Sequence, residues 1–264
     1  MLVVELVKKI HYKFMLSNVK SMPRIVSRLL ACLVFYIFLI TSAQTTFADF
    51  SETDKLEIKS IVKDFITKNP EIIRDVLTQL ALTEQAEQQR AAFALVRQDE
   101  GDPEIGPSDA TITIYEFSDY NCGYCKRIFT DLQAVLAQQA DVKLVVKEFP
   151  ILAETSVLAA KAAIAAQRQG KFEQFHVALM TWRGRIDADA IEAAGRKAGL
   201  DRTRLRADMQ DDLTAAIINR TRAAAAALEI RGTPALVIGE TVIPGVISKN
   251  EILDLINQTR IAKN

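Results

Sequence analysis

The sequence predicts an α/β fold, and three segments carry that prediction. Residues 111–118 and 142–149 are apolar, β-rich runs separated by one helix length, a strand–helix–strand unit with its two strands parallel. Residues 154–229 then read as helix throughout. Strands return at 235–238 and 241–243, and a last helix closes the chain.

The amino end reads as an export signal. Arg24 and Arg28 precede an unbroken apolar run of 12 residues, 29–40, and small residues Thr46 and Ala48 precede Asp49. Residues 1–48 are therefore expected to be a signal peptide cleaved after Ala48, with Met15 or Met22 as alternative starts. Twelve apolar residues fall short of the roughly 20 that span a bilayer, which leaves an uncleaved anchor as the weaker alternative. Lipid attachment at Cys32 does not fit, because the apolar run comes after that cysteine instead of preceding it. Export to the periplasm places the remaining cysteines where disulfides form and persist.

The chain's 33 basic and 33 acidic residues are unevenly spread. Residues 1–48 hold six of the basic ones and a single acid, so 49–264 carry 27 against 32, a net charge of −5. That sign argues against a nucleic-acid surface, which needs a basic face to neutralise phosphates.

Each element has local chemistry behind it. Ser51 to Asp54 forms a helix start, and Ile58, Ile61, Val62, Phe65 and Ile66 succeed it at helical spacing. Asn69 is expected to cap a second helix with Pro70 in its first position, carrying Ile72, Ile73, Val76, Leu77 and Leu80 before fading into the polar stretch 83–90. Two short amphipathic helices cover one another's stripes poorly. Segment 49–98 is expected to dock on the main domain or to self-associate, and its separability favours self-association into a homo-oligomer through residues 50–97. Residues 99–110, dense in turn formers, mark the boundary to a main domain over 99–264. Breaks in the helical block fall near Gly170, Gly184, 199–201 and 211–212. Gly239-Glu240 reads as a hairpin turn, and Ser248 with Glu251 as a capping box for the last helix. Strand, helix, strand, helical block, strand, strand, helix is the order of a thioredoxin fold with about 75 residues of helix, 154–229, inserted between its halves.

The chemistry centres on Cys122-Gly123-Tyr124-Cys125. With Cys32 in the signal, these are the only two thiols of the mature chain. A structural staple over so short a loop would constrain the unfolded chain little. Zinc needs four ligands, and His176 is the only imidazole after residue 48. Two thiolates can hold copper(I), which stays open as an alternative. Switching between dithiol and disulfide fits best. Cys122 lies where the first strand gives way to a helix, whose amino terminus favours a thiolate, so Cys122 is the expected nucleophile. Cys125, one turn deeper, would resolve the mixed disulfide.

Two further elements are candidates. Pro234, after Thr233, reads either as a strand-start proline or as a cis bond whose loop faces the cysteines. Glu116, in an apolar strand six residues before Cys122, reads as a solvated edge carboxylate or as a buried acid relaying the proton of Cys125, with Lys147 as its candidate partner. Phe172, Phe175, His176 and Trp182 are expected in the core.

The motifs together resemble a family. Residues 113–126 look like the first strand and active-site helix of DsbA-type thiol-disulfide oxidoreductases, 147–151 like their second strand, 232–239 like their cis-proline strand, and 242–246 like the closing hairpin. The resemblance implies a thioredoxin fold with a helical insertion, a cis Thr233–Pro234 bond that docks substrate, and Glu116 at the family's buried-acid position. It implies no cofactor and no metal. The partners it implies are secreted cysteine-containing proteins and a membrane protein of DsbB or DsbD type that recycles the site.

Two departures qualify it. Gly123-Tyr124 stands where the classical oxidase has Pro-His, and Thr233 where it has Val; both choices resemble the DsbC-type isomerases. Segment 50–97 further resembles the helical oligomerisation region of the ScsC-like group, some members of which are linked to copper stress. The expectation is a periplasmic thiol-disulfide oxidoreductase leaning to isomerase or reductase. A dithiol oxidase and a copper(I)-binding protein are the alternatives.

Overall fold

A computed structural model of the chain describes residues 50–263. The expected signal, with Cys32 and the cleavage point, lies outside the described residues. The chain divides into two compact units between Arg74 and Asp75.

In the first unit, α1 (Glu52–Lys68) opens on a full capping box: Ser51 Oγ accepts from the Asp54 amide at 3.1 Å, and the Asp54 carboxylate from the Ser51 amide at 2.9 Å. Asn69 departs from expectation only in its side chain. It stands directly before Pro70, the first residue of the second helix, as expected, and its carbonyl accepts from the Ile72 amide at 3.2 Å. Its side chain, however, turns back to donate to the Phe65 carbonyl at 2.7 Å, closing α1. The apolar stripe Ile58, Ile61, Val62, Phe65 and Ile66 is exposed.

Next comes α2 (Pro70–Val96), one helix of 27 residues with no separate polar piece, since no glycine or proline interrupts 71–96. Its last turns belong to the second unit. Phe93 and Val96 are buried against Tyr115, Phe117, Val145 and Val237, so the main domain takes in chain before the expected boundary at 99. Turn formers cluster at 99–110, yet the helix before them is packed.

A five-stranded sheet, in the order β1-β3-β2-β4-β5, forms the centre of this unit. β2 (Ile112–Ser118) and β3 (Val142–Glu148) run parallel, paired from Ile112↔Val142 to Ser118↔Glu148, and α3 (Gly123–Gln138) joins them. The two-residue β1 (Glu104–Ile105), too short to show a period, pairs antiparallel with β3. Gly106 comes next at φ +118°, where a Cβ would stand 3.0 Å from Lys143 Cα; only glycine fits there. The helical block is α4 (Glu154–Arg168), α5 (Phe172–Met180), α6 (Ala188–Ala198), α7 (Arg202–Gln210) and α8 (Asp212–Ala227), with breaks at the expected places. β4 (Ala235–Ile238) and β5 (Thr241–Pro244) form the hairpin, and Ser248 with Glu251 caps α9 (Lys249–Lys263).

Both faces of the sheet are covered, which is why β2 and β3 read as near-continuous apolar runs. One face packs Ile114, Leu144, Val146 and Leu236 against Ile128, Leu132 and Ile256 of α3 and α9. The other packs Tyr115, Phe117, Val145 and Val237 against the end of α2 and Ala224 and Ala225 of α8. The thioredoxin order with a helical insertion is the fold observed.

Candidate active site

β2 delivers the chain to the site, and Asp119 shapes the turn after it. Its buried carboxylate accepts from the backbone amides of Asn121 at 2.9 Å, Ile151 at 2.9 Å and Leu152 at 3.0 Å, binding the β2–α3 turn to the loop after β3. Cys122 stands at the N-cap of α3, its amide donating to the Asp119 carbonyl at 2.9 Å. The two thiols are unbridged. Cys122 keeps 5% of its surface open and Cys125 none, the ordering expected of an outer and an inner sulfur.

Thr233 and Pro234 come from 111 residues away to meet Cys122, whose thiol donates to the Thr233 carbonyl at 3.2 Å. The Thr233–Pro234 bond is cis, and the Gly245 amide donates to the Pro234 carbonyl at 2.8 Å, tying this loop to the turn after β5. The dipeptide faces outward. A Cβ on Gly123 would touch nothing within 4 Å, and Tyr124, 59% exposed, lies 5.1 Å from the Arg127 guanidinium.

Glu116 is buried in the central strand, not solvated at an edge. Neither carboxylate oxygen has a hydrogen-bond partner among the described residues, and burial pushes its pKa up to about 7, an effect the nearby Ser118 hydroxyl only partly offsets. Burial, with the charge of Glu116 added, pushes the Cys125 thiol well above its usual range.

Lys147 is not the partner of Glu116. The register sets Glu116 opposite Val146 and Lys147 opposite Phe117, so the two side chains emerge on opposite faces of the sheet. Lys147 instead forms a buried ion pair with Asp102, donates to the Gln98 carbonyl at 3.0 Å and lies 5.5 Å from the Tyr115 ring. Arg220 reaches the same Asp102 carboxylate at 3.1 Å.

Sequence reasoning missed Glu148. It emerges on the Glu116 face, opposite Ser118, and burial drives its pKa well above the usual carboxylate range, with Tyr120 partly offsetting the rise. A signal was available: two adjacent charges at the end of a strand buried on both faces must point to opposite sides, and both must be enclosed. Tyr120 in turn shares a 2.9 Å hydrogen bond with His176 Nδ1. His176 is enclosed by Tyr120, Phe129 and Phe172, and burial lowers its pKa to about 3, so it is neutral. No group of three or more His, Cys, Asp or Glu able to hold a metal occurs among the described residues.

This geometry can be set beside known proteins. Residues 113–257 match the family described as DSBA-like thioredoxin domain. A thioredoxin-like oxidoreductase from Silicibacter pomeroyi DSS-3 superimposes with TM-score 0.61 at 36% identity, covering 63% of this chain and 96% of its own. A periplasmic thioredoxin-like protein from Salmonella enterica serovar Typhimurium gives 0.59 at 30%, covering 64% and 95%. ScsC from Proteus mirabilis, in a transitional conformation, gives 0.61 at 27% and takes in more of the chain, 82%, with 99% of its own. Among curated proteins, 132 residues are 30% identical to the Na(+)/H(+) antiporter NhaA 3 of Salinispora tropica, a match over 49% of this chain. The chain spans about a fifth of the length of the curated relatives it matches. No described helix is long and apolar enough to cross a membrane.

Proposed function

We propose that this chain, which belongs to the DSBA-like thioredoxin domain family, is a thiol-disulfide oxidoreductase of the DsbA and ScsC type, in which Cys122 and Cys125 carry out exchange with cysteine-containing proteins in the periplasm. One observation carries the assignment of roles: the Cys122 sulfur, at the start of α3, meets the Thr233 carbonyl, while Cys125 and Glu116 lie enclosed behind it.

In the reducing direction the Cys122 thiolate attacks one sulfur of a substrate disulfide. A mixed disulfide forms and the other substrate sulfur leaves as thiolate. Cys125 then gives up its proton and attacks the Cys122 sulfur. The second substrate thiolate departs, and two electrons have passed from the dithiol to the substrate. Glu116 takes the Cys125 proton, a role supported by its pKa of about 7 and by its charge acting on the Cys125 thiol. The Thr233 carbonyl and the loop around Pro234 offer backbone for the substrate chain to pair with.

The direction of exchange in the cell leans to isomerase or reductase. Gly123-Tyr124 and Thr233 support that leaning, and so does the exposed apolar stripe on α1 and the first half of α2, which suits a homo-oligomer presenting several sites to one substrate. A membrane partner of DsbD type would then keep the thiols reduced, whereas a DsbA-like oxidase would need one of DsbB type. The signal pattern before Asp49 supports a periplasmic setting.

Reactivation of scrambled ribonuclease tests the assignment. Cys122→Ala abolishes it, and full activity in that variant would overturn the reading. The mass in solution tests the oligomer: removal of residues 49–82, which takes away the whole exposed stripe, is expected to yield a monomer from a larger species. A monomer before and after would remove the oligomer and the main support for isomerase with it.

A further inference from the structure

A second concavity adjoins the reacting cysteine. It is a groove of about 570 Å³ on the face of β4 and β5 turned away from α3. Leu228 and Ile230 line it from the end of α8, Val242 and Pro244 from β5, and Pro234 and Ala235 where β4 begins. Both sides are held in place. The Ile230 amide donates to the Ala225 carbonyl at 2.8 Å, and the Gly245 amide to the Pro234 carbonyl at 2.8 Å. Clefts that bind small groups measure about 300–1,000 Å³, so there is room here for a large side chain.

Thr233 and Pro234 line this groove and also meet Cys122. With the Cys122 sulfur 3.2 Å from the Thr233 carbonyl, the groove opens one residue away from the reacting atom. Two or three residues of extended chain span about 7–10 Å, enough to lead from one to the other. The crossing is open to pairing, because the Arg231, Gly232 and Thr233 amides have no backbone acceptor among the described residues. A chain bound through its backbone in this way is sorted by the pockets its side chains enter. Charge does not do the sorting here: exposed Glu229 and Arg231, one of each sign, are the charged residues of the lining.

We propose that the groove is a specificity site for the exchange reaction: it receives a bulky apolar side chain of the substrate, two or three residues from the reacting cysteine, as the substrate chain crosses residues 231–233. This rests on the oxidoreductase reading and adds the substrate class to it. Leu, Ile and Phe side chains are mostly enclosed once a protein has folded, so the groove favours cysteines in chains that have not finished folding.

The test uses the reduced protein and two synthetic peptides. Each has one cysteine blocked as its thionitrobenzoate disulfide, with leucines or glutamines at the second and third positions on both sides. Attack by the Cys122 thiolate on the peptide sulfur forms the mixed disulfide and releases the coloured thiolate. The leucine peptide is expected to show a kcat/KM at least about tenfold above the glutamine peptide, as burial of a leucine side chain allows, and to keep that ratio in 1 M salt. In Val242→Glu, and separately in Leu228→Asn, each shown folded by circular dichroism, the ratio should fall to within about twofold. Leu152 and Leu158 are exposed apolar side chains on the loop and helix that follow β3, outside the groove. The double variant Leu152→Gln, Leu158→Gln should keep the ratio. Equal rates for the two peptides, a ratio that survives both groove variants, or one abolished by the Leu152 and Leu158 changes would overturn the groove while leaving the oxidoreductase reading intact. No release from either peptide would overturn both.

Discussion

Replacing Glu116 with glutamine tests the buried acid through stability as well as catalysis. In the unfolded chain this carboxyl has a pKa of 4.5, and in the fold about 7. Between those values the native state binds a proton that the unfolded state has lost, so stability falls as pH rises, by up to about 1.4 kcal/mol per pH unit. Below pH 4.5 the group is protonated in both states and contributes nothing. Above pH 7 the full penalty is present, about 3 kcal/mol. Glu116 is fully enclosed, so solvent does little to screen that figure. Glu116→Gln removes the ionisation but leaves a buried amide, a penalty of about 1–3 kcal/mol that does not vary with pH. The informative quantity is therefore the difference between variant and wild type. Urea melts of both reduced proteins at pH 5, 6, 7 and 8 should show the variant gaining about 2–3 kcal/mol relative to wild type across that range. Parallel pH profiles would refute the raised pKa. In the same variant, closure of the Cys122–Cys125 disulfide should slow about 10–100-fold, since the acceptor for the Cys125 proton is lost.

Four other substitutions have definite expected outcomes. Lys147→Met strands the buried Asp102 carboxylate with Arg220 alone and should destabilise by about 3–5 kcal/mol in urea melts, with Asp102→Asn in the same chain recovering part of the loss. Cys125→Ser leaves the mixed disulfide unresolved, so covalent adducts with substrate proteins should accumulate on non-reducing gels and vanish with dithiothreitol. Phe93→Ala, at the end of α2, should lower stability by about 3–5 kcal/mol, whereas Phe65→Ala on the exposed stripe of α1 should change a non-associating chain by less than about 0.5 kcal/mol.

Features that depend on neighbours along the chain are legible in the sequence. The capping boxes at Ser51 and Ser248, the turn at Gly239-Glu240 and the helix breaks from Gly170 to Asp211 have chemistry local to a few residues. Cys122 at a helix start belongs with them. Relations across the fold are less accessible. Lys147 reads as a partner of Glu116 because the two lie in neighbouring strands, but the face each occupies depends on a register that neither strand states alone. Glu148 escapes notice for the same reason. The two residues of β1 pair with β3 through tertiary contact with no propensity to announce them. The end of α2 reads as detachable because its last turns mix Ala92, Phe93 and Val96 with polar residues, and only the sheet shows which of them are needed.

The outermost strands of the sheet bear on how such a protein keeps company with unfinished chains. An open strand edge templates any extended segment it meets, and incompletely folded proteins supply such segments continually. Here one margin is occupied by β1, and the Pro103 carbonyl takes the Val146 amide at 2.8 Å just beyond it. The other margin is the four-residue β5, which ends in Pro244, a residue with no amide to donate. Neither margin offers a long row of free backbone groups for a client to zip onto. In the proposed exchange, grip on a client would be left to the loops over Cys122, and letting go would follow the breaking of one sulfur–sulfur bond, not the peeling of a strand.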